Sequence, residues 1–133
     1  MENFKPYVSL AARVLLAVIF VIAGYGKLGS IEGTQGYMAM VGLPGFLVWP
    51  TIALELLGGL ALIAGFQTRL IALALAGFTL VAAVLFHFQP ADQMQMIMFW
   101  KNIAITGGLL LLAVQGAGAL SVDARLGAKP ALA

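Results

Sequence analysis

Tyr7-Val8-Ser9-Leu10-Ala11-Ala12-Arg13-Val14-Leu15-Leu16-Ala17-Val18-Ile19-Phe20-Val21-Ile22-Ala23-Gly24-Tyr25-Gly26-Lys27-Leu28 is an apolar run in which Arg13 and Lys27 are the only charges. At about 1.5 Å per residue a helix of this length reaches about 33 Å, the thickness of a bilayer's hydrocarbon core. The polar start with Glu2 and Lys5 resembles the n-region of a signal peptide. No A-x-A-like cleavage site closes the run and further long apolar runs follow, so it reads as an uncleaved first span.

Three more such runs follow, at about 46–64, 70–88 and 94–115. The second is entered at Trp49 and Pro50 and ends at Gly65, the favoured placement of proline and glycine around a helix. The third stops before Gln89 and Pro90, the fourth before Gly116. The runs are rich in Leu and Ala and lack strict alternation, which excludes strands; open sheets do not exist in lipid. The expected fold is all-α, a transmembrane four-helix bundle forming a single domain over 1–133. The connection from Gly29 to Gly45 is too apolar for a free loop and too short to span, so it is expected at the membrane interface or dipping partly inward.

Composition agrees. Of 133 residues 62% are hydrophobic and 9% charged, and mean hydropathy is +1.05, whereas a soluble domain is about a quarter charged. The net charge is +2, but the basic residues are scattered singly, which excludes a nucleic-acid footprint. With no cysteine and one histidine, structural disulfides, thiolate metal sites, iron-sulfur clusters and bis-histidine haem are excluded, and no metal site is expected. Lys5, Arg69, Arg125 and Lys129 flank the spans on one side, Lys27 and Lys101 on the other with Glu32 and Asp92, which places both termini in the cytoplasm by the positive-inside rule.

Ionisable residues inside lipid cost about 2.5–3.5 kcal/mol each on insertion scales and mark bundle interiors or wet cavities. Lys27, Glu55, His87 and Lys101 fall in the outer half of the membrane, with Tyr25, Trp100 and Asn102 at similar depth. Glu55 is expected to pair with Lys101 or Lys27, since buried charges need compensation. Small residues mark the inward faces: Ala17 and Gly24, on one stripe with Phe20, between Arg13 and Lys27, Gly58 and Gly59 after Glu55, Ala72, Ala76 and Ala83 toward His87, and Ala104 and Gly108 after Lys101. At the inner end Arg13 is placed to snorkel, with Asp123 as its expected partner in a structural pair.

The runs Arg13 … Ala23-Gly24-Tyr25-Gly26-Lys27-Leu28, Gly42-Leu43-Pro44, Glu55-Leu56-Leu57-Gly58-Gly59, Gly65-Phe66-Gln67-Thr68-Arg69, Lys101-Asn102 and Gly116-Ala117-Gly118-Ala119-Leu120-Ser121-Val122-Asp123 together resemble the DoxX family of small bacterial membrane proteins. The resemblance covers nearly the whole chain. It implies a four-helix inner-membrane protein, in a family that takes its name from a subunit of an archaeal thiosulfate:quinone oxidoreductase and whose members are often described as quinol oxidase or redox-associated subunits. Its matching positions here are Lys27, Glu55, Gly58, Gly59, Arg69, Lys101 and Asp123.

Two functional classes stay open on these residues. In one, the outer polar cluster of Lys27, Glu55, His87, Lys101, Asn102 and Tyr25 holds a small amphipathic molecule, a quinone being the candidate cofactor. Glu55 then accepts or relays protons. The chain carries no electron carrier of its own, so it would be a subunit beside a redox partner. In the other, the chain is a non-enzymatic scaffold or accessory subunit whose charges fix one helix arrangement. Transport, as a homo-oligomer, and copper handling by Met38, Met40, Met94, Met96 and Met98 are weaker alternatives. Contact with membrane lipid is common to all of them.

Overall fold

The computed structural model describes residues 2–127; Lys129, counted above as a flanking charge, lies outside them. Four helices are long and apolar enough to cross a membrane. A 3-10 turn at Glu2–Phe4 leads into α1, Lys5–Leu28. Pro6 sits in its first turn, where a missing N–H costs nothing. Helix α2, Ile31–Ala39, occupies the connection, followed by α3 at Gly45–Ala64, α4 at Thr68–His87 and α5 at Gln93–Gln115. A four-residue turn, α6 at Val122–Arg125, closes the described chain.

The short links force α1, α3, α4 and α5 into up-down-up-down order. The most extensive packing is within two pairs, α1 with α3 and α4 with α5. On α1 the buried residues are Arg13, Ala17, Phe20 and Gly24, one stripe at helical spacing. Gly24 and Gly59 bring α1 and α3 nearly into backbone contact: a Cβ on Gly24 would lie 2.7 Å from the Leu56 nitrogen, and one on Gly59 2.8 Å from Val21 Cγ2. Lipid offers no hydrophobic drive for helix pairing, so such close fit is what holds the pair. Gly58 faces Ile71 and Leu75 of α4 instead. On α5 the buried face is Thr106, Leu109 and Ala113. Ala104, expected inward, is exposed, and Gly108 meets Leu16.

A core of Ala17, Phe20, Leu62, Leu75, Ala76 and Leu109 fills the middle of the bundle. A smaller one of Met38, Val48 and Ile52 lies beneath α2, backed by Leu43 and Phe86, with the Tyr37 ring stacked on Phe86 at 4.9 Å. The connection is thus a helix packed onto the bundle's end and seated there through Met38, its buried residue. Leu15, Ile22, Leu111 and Val114 are exposed on the flanks, as a lipid-facing surface requires.

Two stretches depart from the α-helix. Ala53–Leu57 in α3 and Ala83–His87 in α4 are π-helical. Such wider turns disrupt the regular side-chain stagger and commonly occur at functional sites. Glu55 sits in the first and His87 ends the second.

At the opposite end, α3 stops in a Schellman motif: Phe66 N–H donates to Ala61 O at 2.8 Å and Gly65 N–H to Leu62 O at 3.1 Å. Gly65 has φ +74°, and a Cβ there would meet Ser121 Cβ at 2.5 Å and the Arg13 guanidinium at 3.0 Å. Only glycine satisfies both demands. Gln67, in the left-handed region at φ 49°, is held by Asp123, whose two carboxylate oxygens accept from Gln67 N–H at 2.8 Å and Thr68 N–H at 3.0 Å. Asp123 therefore caps α4 from 55 residues away.

Candidate functional site

Arg13 is 1% exposed and does not snorkel. Its guanidinium donates to the carbonyls of Ala117, Ile63 at 3.3 Å and Leu120 at 2.8 Å. The expected direct pair with Asp123 is replaced by backbone partners on both sides, because the residues after α5 fold back under the bundle and offer carbonyls nearer than the carboxylate. This end is a clasp: Arg13 and Asp123 tie the last described segment to α1, α3 and α4.

The other end holds a cavity of about 600 Å³, within the size range of small-molecule sites. All four spans and α2 line it, and Lys27, Glu55, His87, Lys101 and Asn102 are on its wall. Phe20 and Phe78 belong to its deeper part, Leu85 and Phe86 to the part near α2. The walls are mainly apolar, with the few polar groups converging from different helices.

Glu55 is the most buried of these. Its side chain is 6% exposed, and Oε1 lies 2.6 Å from Lys27 Nζ, whose side chain is 26% exposed. At this distance each charge compensates the other within a mainly apolar wall. The π-helical turn Ala53–Leu57 and the small contact at Gly24 and Leu56 allow α1 and α3 to approach closely enough for it. Lys101, the other expected partner, instead points its ammonium to Met98 Sδ at 3.8 Å. Among the described residues Lys27–Glu55 is the one salt bridge.

His87 Nδ1 lies 2.8 Å from Gln95 Oε1, so the imidazole bridges the end of α4 to the first turns of α5. That first turn is fixed by Asp92, whose carboxylate accepts from Met94 and Gln95 N–H at 3.0 and 3.2 Å. Tyr25 does not join the cluster. It is 73% exposed, since it stands one residue off the stripe that carries Gly24 and Lys27, a turn of about 100° toward lipid. Depth alone placed it near the charges; helix phase removes it.

Thr79, Gln95, Tyr37 and Met38 are additions of the structure to the site. For Thr79 a signal existed, because it lies on the Ala72, Ala76, Ala83 stripe at spacings of three and four. The methionines divide: Met38 and Met98 line the cavity, while Met40 and Met94 are 80% and 66% exposed. Among the described residues no group of three or more His, Cys, Asp or Glu converges as a metal site.

Such an arrangement can bind a mostly apolar molecule by its polar end. Two ammonium groups and an amide can donate hydrogen bonds, the imidazole, whose Nδ1–H is engaged by Gln95 Oε1, can accept through Nε2, and the carboxylate can take a proton.

Comparison with known proteins agrees with the resemblance. The DoxX family model matches residues 8–88. Inner membrane protein YqjF of Escherichia coli (strain K12) is 49% identical over 97% of this chain and 99% of its own. Inner membrane protein YphA of the same strain is 38% identical over 91% of each chain. A relative from Bacillus subtilis (strain 168) named "Putative oxidoreductase CatD" is 34% identical over 58% of this chain and 57% of its own. No solved structure matches the chain. With four spanning helices, the ordered motifs in place and full-length relatives of this identity, the chain is a member of the DoxX family.

Proposed function

We propose that this protein is a redox-associated subunit of a bacterial inner membrane and holds a small amphipathic molecule of the quinone class in the cavity lined by Lys27 and Glu55. The observation that carries the reading is the cavity itself. It is enclosed among the spanning helices, its walls are mainly apolar, and its ion pair, Lys101, His87 and Asn102 come from four different helices. A scaffold alone calls for no open volume, and tight glycine contacts elsewhere in the bundle show how this chain packs where it packs fully.

The residues fit a quinone. Its ring needs apolar walls, which Phe20 and Phe78 supply, and its carbonyl oxygens need donors, which Lys27, Lys101 and Asn102 offer, while His87 Nε2 would accept from the hydroxyl of a quinol. When bound, the molecule would supply the electron chemistry. Glu55 would exchange protons near it, and the electrons would pass through a partner subunit, since the chain's residue types build no electron carrier. The family relative named as an oxidoreductase favours the same reading. We place the clasp end, with Lys5, Arg69 and Arg125, in the cytoplasm and the cavity end on the periplasmic side.

The test is to purify the protein in mild detergent from quinone-rich membranes and quantify extracted quinone by mass spectrometry. Stoichiometric quinone, lost on Glu55→Gln or Lys101→Met while the folded yield stays, supports the proposal. No quinone in the wild type, or loss of folded yield in both variants, would favour the scaffold reading.

A further inference from the structure

The charges on the cavity wall do not balance. Lys27 and Lys101 bring two ammonium groups and Glu55 one carboxylate, and that carboxylate is taken by Lys27 at 2.6 Å. Among the described residues no carboxylate lies within salt-bridge distance of Lys101. The other acidic side chains of this end, Glu32 and Asp92, are exposed. Asp92 lies about 14 Å along α5 from Lys101 at 1.5 Å per residue, and its carboxylate holds the N–H groups of Met94 and Gln95. The contact that Lys101 Nζ does make, to Met98 Sδ at 3.8 Å, is with a weak and uncharged acceptor.

Nor does Lys101 escape to the membrane surface. A snorkelling lysine carries its ammonium toward the headgroups. Here the ammonium stops beside Met98, about 8 Å inside the start of α5 at Gln93. Lys101 is half-buried, and it lines the cavity together with Met98, Ile105 and Phe78, all apolar. A cation among apolar groups is costly without a counter-charge and marks function when it borders a cavity. Arg13, the buried cation of the other end, is closed in by three carbonyls; Lys101 has open volume beside it instead.

We propose that Lys101 is a ligand-binding residue that recognises an anion, and that the cavity's occupant is an acidic amphipathic molecule. Such a molecule has an apolar body and one ionised oxygen group, a carboxylate or an acidic ring hydroxyl, whose charge completes the balance of the wall. The inference rests on the reading of the cavity as a binding site and narrows it: within the quinone class it selects an ionised hydroxyquinone over a neutral quinone. The headgroup of an acidic phospholipid carries the same charge, and the experiment separates the two sources.

The full chain in phosphatidylcholine nanodiscs is titrated at pH 7 with 2-hydroxy-1,4-naphthoquinone, which is ionised, and with its 2-methoxy ether, which keeps the ring and is neutral, affinities being referred to free aqueous probe. Wild type binds the hydroxyquinone about ten- to a hundredfold more tightly, the worth of a hydrogen bond to a charged group. Lys101→Met removes the preference and Lys101→Arg keeps most of it. Loss of the wild-type preference in nanodiscs containing phosphatidylglycerol identifies a lipid headgroup as the anion, and its persistence identifies a free acid. Equal affinities in wild type, a comparison that needs no variant to fold, or an undiminished preference in Lys101→Met would overturn the inference while leaving the quinone reading intact. Where neither quinone binds, laurate decides: binding that falls on Lys101→Met keeps the anion site and removes the quinone, and no binding removes both.

Discussion

The two ends of the bundle treat the same kinds of residue in opposite ways. At the clasp, a buried arginine meets three backbone carbonyls, a buried aspartate caps a helix, and Gly65 is closed in by Ser121 and Arg13. At the cavity, a glutamate and a lysine share one contact, Lys101 reaches only a thioether, and Thr79 has no partner. Backbone acceptors are fixed in place by the helices that present them, so the clasp is rigid and specifies one arrangement. Side chains around an open volume keep unused bonding capacity, which is what a binding site needs. The contrast teaches that an intramembrane charge alone does not mark function, nor does a partnerless atom, since Arg13 Nε and Thr68 Oγ1 at the clasp also lack partners; the open volume beside the charge does.

The comparison breaks most visibly at Arg13. Arg13→Met strands three carbonyls at about 1 kcal/mol or more each, so a large loss of folded yield and melting temperature is expected by size-exclusion and thermal melting in detergent. A variant that melts with wild type would show the clasp to be dispensable. Next in size is Gly24→Ala, which forces a Cβ against the Leu56 backbone and should cost about 1–3 kcal/mol. Gly77→Ala adds the same methyl where nothing lies within 4 Å, so its melting temperature should hold or rise slightly. If both alanines behaved alike, close α1–α3 contact would not be what holds the pair.

The smallest expected effect belongs to the ion pair. Lys27→Met and Glu55→Gln together should melt closer to wild type than the sum of their separate losses, with a coupling of about 1 kcal/mol because Lys27 remains partly exposed. Additive losses would mean that the pair does not act as a unit. These stability effects and the quinone measurements above separate the ends cleanly: clasp variants should lose fold, cavity variants should lose ligand.

Hydropathy and helix phase made the spans legible, including the stripe of Arg13, Ala17, Phe20 and Gly24 on α1. Residue rarity in lipid made Glu55 legible as a paired charge, with Lys27 and Lys101 equally open as its partner until the structure paired it with Lys27. The carbonyl cage around Arg13 was not, because backbone acceptors carry no residue signature and its members lie 50 to 107 positions away. Tyr25 was misplaced by reading depth without direction. The π-helical turns and α2 escaped for a related reason: the former have no known residue code, and the latter is a nine-residue helix interrupted by Gly33 and Gly36.

The Arg13 cage also sets an order on the making of the protein. Arg13 enters the membrane with the first helix, yet two of its three acceptors, Ala117 and Leu120, are synthesised 104 and 107 residues later. Chains are made from the N-terminus, so through most of biosynthesis the first helix carries an arginine without its final partners. Assembly is thereby completed by its last event, and a chain halted before residue 117 exposes an incomplete arginine site that distinguishes it from a finished molecule.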